Sequence, residues 1–151
     1  MKLHHILLFV HLAGVIVWVG GMSFAHFCLR PSALALPPAQ RLGLWSAVFG
    51  RFFPIVWLAI GAIVASGFAM LLEVGMARAP LAWHAMAASG LAMTAIFASI
   101  WFGPWRALQR AVAAESWAQG AQALNLIRQR VTVNLTLGAL TVLLATLGLA
   151  F

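Results

Sequence analysis

Acidic side chains are almost absent from this sequence. Aspartate does not occur, and glutamate occurs only at Glu73 and Glu115 among 151 residues. The paired carboxylates of general acid–base hydrolysis therefore cannot be assembled, and no nucleophile stands beside a base, so nothing points to a hydrolase. Cysteine is scarcer still. Cys28 is alone, which excludes an intramolecular disulfide and the CxxC or CxxCH motifs of metal and c-type haem attachment. A lone thiol in an apolar run is expected to be a small buried hydrophobe. Charge of either sign is also low, at 7% of residues against roughly 25% in a soluble domain. The nine basic residues give a formal charge of +7, but they are scattered and form no run, so nucleic acid is not indicated as a partner.

What the chain has instead is apolar length. Hydrophobic residues make up 64% and the mean hydropathy is +1.02, so the bilayer is the expected solvent. Four stretches, at about 4–29, 52–73, 81–103 and 128–151, each meet the roughly 20 residues that a 30 Å hydrocarbon core requires. The first is read as a span and not a cleaved signal, because it is too long for an h-region and carries histidines. Prolines 31, 37 and 38, Gly75 with Pro80, and Gly103-Pro104 punctuate the chain between spans. Residues at about 105–124 set Trp105, Leu108 and Val112 against Arg106, Gln109 and Arg110, the pattern of an amphipathic interfacial connection. No internal repeat marks an inverted-repeat transporter. The expected fold is a single domain over 1–151, an all-α integral membrane protein with an antiparallel four-helix bundle.

Orientation follows from the arginines. Arg30, Arg41, Arg51, Arg106, Arg110, Arg128 and Arg130 fall in or beside the first and third connections, against Lys2 and Arg78 at the other end. The positive-inside rule puts the former in the cytoplasm and both termini in the periplasm of a bacterial inner membrane.

Within the first span, His4, His11, Trp18, Met22 and His26 share a sector of roughly 80° at 100° per residue. Imidazoles in a membrane span are costly and usually face a bundle interior, a water path, a metal or a cofactor. His84 on the third span is followed on its own face by Ala88, Leu91, Ala95 and Ala98, which leaves room beside that helix. His11 and His84 lie at similar depth, so they are candidate axial ligands of a b-type haem between helices one and three. The outer group His4, His5, His11, His84 and Met76, with Met86 and Glu73 near it, offers imidazole and thioether donors suited to copper, Cu(I) above all. At the other end His26, Arg51 and Arg130, with Arg30 and Arg128 at the same level, are candidate contacts for an anionic ligand such as a porphyrin. Asn134, Gly138, Thr141, Ala145 and Gly148 form a small, weakly polar ridge on the fourth span, which reads as helix packing.

The run His11-Leu12-Ala13, Val17-Trp18-Val19-Gly20-Gly21 and Leu29-Arg30-Pro31 resembles the first helix of the CopD family of bacterial inner-membrane proteins. Arg51-Phe52, Trp57-Leu58-Ala59, Ser66-Gly67 and Arg130 with Asn134-Leu135 are similar to later parts of that pattern. The resemblance implies copper handling or passage across the inner membrane, often beside a periplasmic copper-binding partner, and singles out His11, Trp18 and Arg30. The size, the first-helix histidine and tryptophan, and the basic face are also similar to the HemJ-type protoporphyrinogen oxidases, which bind b-type haem. The leading expectation is a CopD-like protein with a metal-centred role in copper handling or transport; the alternatives are a b-type cytochrome that carries electrons to a redox partner and a porphyrin oxidase. An enzyme is the less favoured class, and association into an oligomer is compatible with all three.

Overall fold

Four helices long and apolar enough to cross a membrane emerge in the computed structural model, which describes residues 2–147. Gly148 and the last residues of the expected fourth span lie outside that range. Helix α1 covers Lys2–Ala33, α2 Pro38–Val74, α3 Leu81–Phe102, α4 Pro104–Ala113 and α5 Trp117–Leu147. All of the described secondary structure is helical.

The helix boundaries follow from local chemistry. Pro38 opens α2 and Pro104 opens α4, positions where the missing N–H would have no helical partner. Gly75 closes α2 with φ 89°, a left-handed conformation that glycine adopts without steric cost, while its N–H bonds Leu71 O at 3.1 Å. Pro31 does not end α1, which runs on to Ala33. At the arginine-bearing end α1, α2 and α5 run on beyond the expected spans whereas α3 stops at Phe102, and the added turns of α2 bury Leu42, Trp45 and Phe49. The expected amphipathic segment is a true helix in its first half, burying Trp105, Leu108 and Ala111 while Arg106, Gln109 and Arg110 line its other side. Its second half is already the start of α5.

Helix α1 widens into π-helical turns at Ile16–Gly20 and Ala25–Leu29. Each wider turn carries an extra residue and rotates the remainder of the helix relative to a regular α-helix. Trp18 and Met22 stay in the core, 3% and 4% exposed, whereas Cys28 points outward. The expectation of a buried thiol is thus corrected. On that face Phe24 and Phe27 are exposed too, and in lipid an outward apolar side chain costs nothing relative to an inward one.

The bundle is assembled from two closely packed pairs, α1 with α2 and α3 with α5, while α4 lies across α5 and α2. Close approach within the first pair depends on glycine. A Cβ on Gly14 would meet Ile63 Cγ1 at 2.7 Å and Ala59 O at 3.0 Å, and one on Gly21 would overlap the Phe52 ring. A Gly14→Leu variant should accordingly lose about 1–3 kcal/mol, read as a lower midpoint in detergent unfolding, while the same change at the open Gly61 leaves the midpoint in place.

The two pairs meet tightly only toward the arginine end. There an aromatic cluster interlocks: Phe53 stacks on Phe49 at 4.7 Å and meets Phe97 and Trp105 edge-on at 5.2 and 5.3 Å. Toward the other end the contacts between pairs are sparser, and the third and fourth spans are joined by polar bonds. Asn134 Nδ2 donates to Met93 O at 3.1 Å, and Thr141 Oγ1 to Ser89 Oγ at 2.8 Å, both between α5 and α3. Asn134 is 1% exposed, which agrees with its reading as an interhelical contact. Beyond this level the pairs separate around a cavity.

Candidate functional site

Elements α1, α2, α3 and α5 line a cavity of about 720 Å³ in the half of the bundle away from the arginines, open at one side where Leu12, Ile16 and Leu91 are exposed. This lies within the roughly 300–1,000 Å³ of small-molecule and cofactor sites. Its lining is largely apolar, with His4, His11, Thr141 and Thr146 as its main polar side chains, and it includes Met70, Met86 and Met93. Trp18 also lines it and packs edge-on against Phe97 at 6.3 Å, so the cavity ends where the aromatic core begins.

His11 is held in the cavity wall by two contacts to α2. Its Nδ1 lies 3.0 Å from Ile63 O and 3.1 Å from Ser66 Oγ. A carbonyl oxygen only accepts, so Nδ1 must carry the proton. The Ser66 hydroxyl donates to its own helix at Ala62 O, which leaves its lone pairs to accept from the imidazole. Nε2 is then the ring nitrogen with the unshared pair. Donation from one imidazole nitrogen to a backbone carbonyl fixes tautomer and orientation, the arrangement found behind histidines that ligate metals through the other nitrogen. Gly67 completes the seat: a Cβ there would come within 3.1 Å of His11 Cε1. Ser66 is itself 2% exposed.

The remaining expected site residues distribute themselves unevenly. His4 lines the cavity near its end, and its Nδ1 lies 3.0 Å from Glu73 Oε2, tying α1 to α2. His5 is exposed, with its ring edge-on to His4 at 6.3 Å. His84 is not part of the cavity wall; its Nδ1–H donates to Pro80 O of the preceding turn at 3.3 Å. Met76 is 55% exposed in the connection after α2. Among the described residues no three His, Cys, Asp or Glu side chains gather closely enough to hold a metal ion. The expected outer copper group is therefore not one cluster, and the expected His11–His84 pair does not share the cavity. The physical reason is rotation about the helix axis. Depth can be counted along the sequence, whereas the facing of His84 is set by how α3 packs on α5.

At the opposite end Arg30 and Arg51 are exposed, and His26 packs against the ring of its neighbour Phe27 at 4.8 Å. Arg130 Nη1 donates to Ser99 O at 2.8 Å and to Ser99 Oγ at 3.2 Å, satisfying a carbonyl in the last turn of α3 next to the Gly103 break, where a cation also complements the helix dipole. Arg130 thus has a structural use, and none of these residues borders the cavity. Sequence reasoning missed Ile63, Ser66 and Gly67 as the seat of His11, and Met70 and Met93 as cavity donors. The Ser66-Gly67 pair was visible only as part of a resemblance.

A family model described as CopD, copper resistance protein D, matches residues 46–147, well over half of the chain. The match includes Ser66, Gly67, Met70, Met86 and Met93 and leaves α1, with His11, Trp18 and Arg30, outside it. No curated protein and no solved structure matches the chain.

Proposed function

The chain belongs to the CopD family, copper resistance protein D, and from that premise we propose that it handles copper at the cavity beside His11. It is a multi-pass membrane protein with four apolar helices. The observation that carries the proposal is the seated imidazole: Nδ1 is committed to α2, and Nε2 is left as a donor in a wall that also holds the thioethers of Met70, Met86 and Met93. Thioether is a soft neutral donor that selects Cu(I), and neutral imidazole also suits copper. Neutral donors also suit a monovalent cation in a low-dielectric site, since a single charge enters and no carboxylate has to be desolvated there.

The positive-inside rule orients the protein with its arginines in the cytoplasm of a bacterial inner membrane and the cavity toward the periplasm. His4 and Glu73 then stand at the side from which copper, as cargo, arrives, and a periplasmic copper-binding or redox protein would dock there. Competition of the detergent-purified protein against a coloured Cu(I) chelator tests the reading. Near-stoichiometric Cu(I) uptake supports it, and failure to withdraw Cu(I) from the chelator removes it. A Ser66→Ala variant should weaken uptake by about tenfold, the usual consequence of loosening the group behind a ligating histidine, with helix content unchanged by circular dichroism.

The cavity's size and apolar lining favour a second reading, b-type haem held by His11. Haem would supply one-electron chemistry, and the chain's part would be the His11 imidazole to hold it and largely apolar walls to surround it. His84 lies outside the cavity wall, whereas the His4 imidazole and the thioethers of Met70, Met86 and Met93 line it beside His11, so these are the side chains that would help to hold such a group. A Soret band in protein as purified, lost in His11→Ala, identifies this case. Oxidation of protoporphyrinogen by that preparation would then separate an oxidase from an electron carrier.

A further inference from the structure

At the arginine end, one contact between α2 and α5 has more hydrogen-bond donors than the protein satisfies. Arg128 Cζ stands 5.5 Å from the ring centroid of Trp45, and Trp45 is 2% exposed. Trp45 Nε1, Arg128 Nε and Arg128 Nη2 are all buried, and none has an acceptor among the described residues. Buried N–H groups are nearly always paired, and an orphan costs more than the hydrogen bond it forgoes. Three orphans on two touching side chains call for acceptors from outside the chain.

The charge balance points the same way. Arg30 and Arg41 are near enough to act on Arg128 as like charges, and Arg41 lies one helical turn before Trp45 on α2. None of the three arginines is ion-paired among the described residues. Glu115, in the turn between α4 and α5, makes no ion pair with them either. The topology rule accounts for arginines at this end of the bundle. It does not account for setting Arg128 against a buried indole with two like charges close enough to repel it. An anion with several acceptor oxygens removes both costs, and the planar guanidinium fork matches phosphate oxygens in particular.

We propose that Arg128 and the Trp45 indole beneath it, with Arg30 and Arg41 as neighbouring positive charges, form a binding site for a phosphate group at the arginine end of the bundle. The phosphodiester of an anionic lipid and free inorganic phosphate present the same chemistry to this site. A basic pocket at the end of a membrane bundle is a known setting for anionic headgroups.

The test compares the full-length protein in phosphatidylcholine nanodiscs, in nanodiscs containing phosphatidylglycerol, and in phosphatidylcholine nanodiscs with inorganic phosphate at constant ionic strength. The readout is the thermal midpoint. Ligand linkage predicts that the wild-type midpoint rises by about 4 °C or more with the matching probe, and that Arg128→Met loses most of this response. Arg41→Met provides a second variant on the other helix and should behave alike. Arg106→Met, an exposed arginine lying over Phe102, removes the same charge from the same end and should respond as the wild type does. A response to phosphatidylglycerol alone assigns the site to lipid, and a response to phosphate alone assigns it to the free anion. If the wild type responds to neither probe, or if Arg128→Met and Arg106→Met respond equally, the donors are satisfied by water or by diffuse charge, and the site does not exist.

Discussion

Replacing His11 by alanine should weaken Cu(I) binding by at least about a hundredfold while leaving the helical bundle assembled. The magnitude follows from the donor set. Loss of an outer contact to a ligating histidine already costs 10–100-fold, and here the ligating imidazole itself is removed, leaving the thioethers and a His4 whose Nδ1 is engaged with Glu73. The stability cost is small by comparison. His11 gives up its bonds to Ile63 O and Ser66 Oγ, but such contacts average about 0.6 kcal/mol within a membrane. The measurement is chelator competition alongside a thermal midpoint. A large fall in affinity with a midpoint close to wild type fits the proposal. Unchanged affinity in His11→Ala would move the site elsewhere and leave the histidine as a helix-packing residue. His84→Ala provides the contrast. That side chain bonds Pro80 O and lies outside the cavity wall, so its removal should change Cu(I) affinity less than about twofold.

The largest effect on stability is expected at Phe53. Its ring is 2% exposed and touches Phe49, Phe97, Trp101 and Trp105. It therefore joins α2 to α3 and α4 at the level where the two helix pairs hold together. In a soluble core Phe→Ala costs about 3–5 kcal/mol, part of it transfer from water and part the cavity left behind. In lipid the transfer part largely vanishes, because the separated helices expose the ring to hydrocarbon. The dispersion and cavity parts remain. Phe53→Ala should thus cost about 2–4 kcal/mol, seen as a shifted midpoint in a denaturing-detergent titration. Phe9, 72% exposed, is the control, and its alanine variant should shift stability by less than about 0.5 kcal/mol. Equal losses at the two positions would mean that the aromatic cluster does not hold the pairs together.

These two residues show what can be read in one dimension. Phe53 belongs to an apolar stretch that any hydropathy window finds, yet nothing in its neighbourhood distinguishes it from exposed Ile55 or Leu58. His11 was legible as a candidate because an imidazole in a membrane span is costly wherever it points. Its seat was not legible, since Ile63 and Ser66 lie 52 and 55 residues away and a hydroxyl in a span is common. Of the stripe on the first helix, His4, His11 and Trp18 line the cavity, while His26 lies toward the arginine end, where counting along the helix places it. The surplus donors on Arg128 and Trp45 left no trace in the sequence, where Arg128 is one arginine among several.

The sequence by itself determined the solvent, the number and approximate length of the spans, the amphipathic α4 and the end at which charge collects. Each of these depends on composition summed along a helix axis, and a bilayer reads that sum directly. The tertiary structure alone decided how each helix is turned about its axis. That rotation carries almost no penalty in lipid and is fixed by packing between helices: Gly14 against Ile63 and Gly21 against Phe52 on one side, and Asn134 bonded to the Met93 carbonyl on the other. It determined that His11 faces a cavity with its Nδ1 already engaged, that His84 does not face that cavity, and that Arg128 lies over a buried indole with donors to spare.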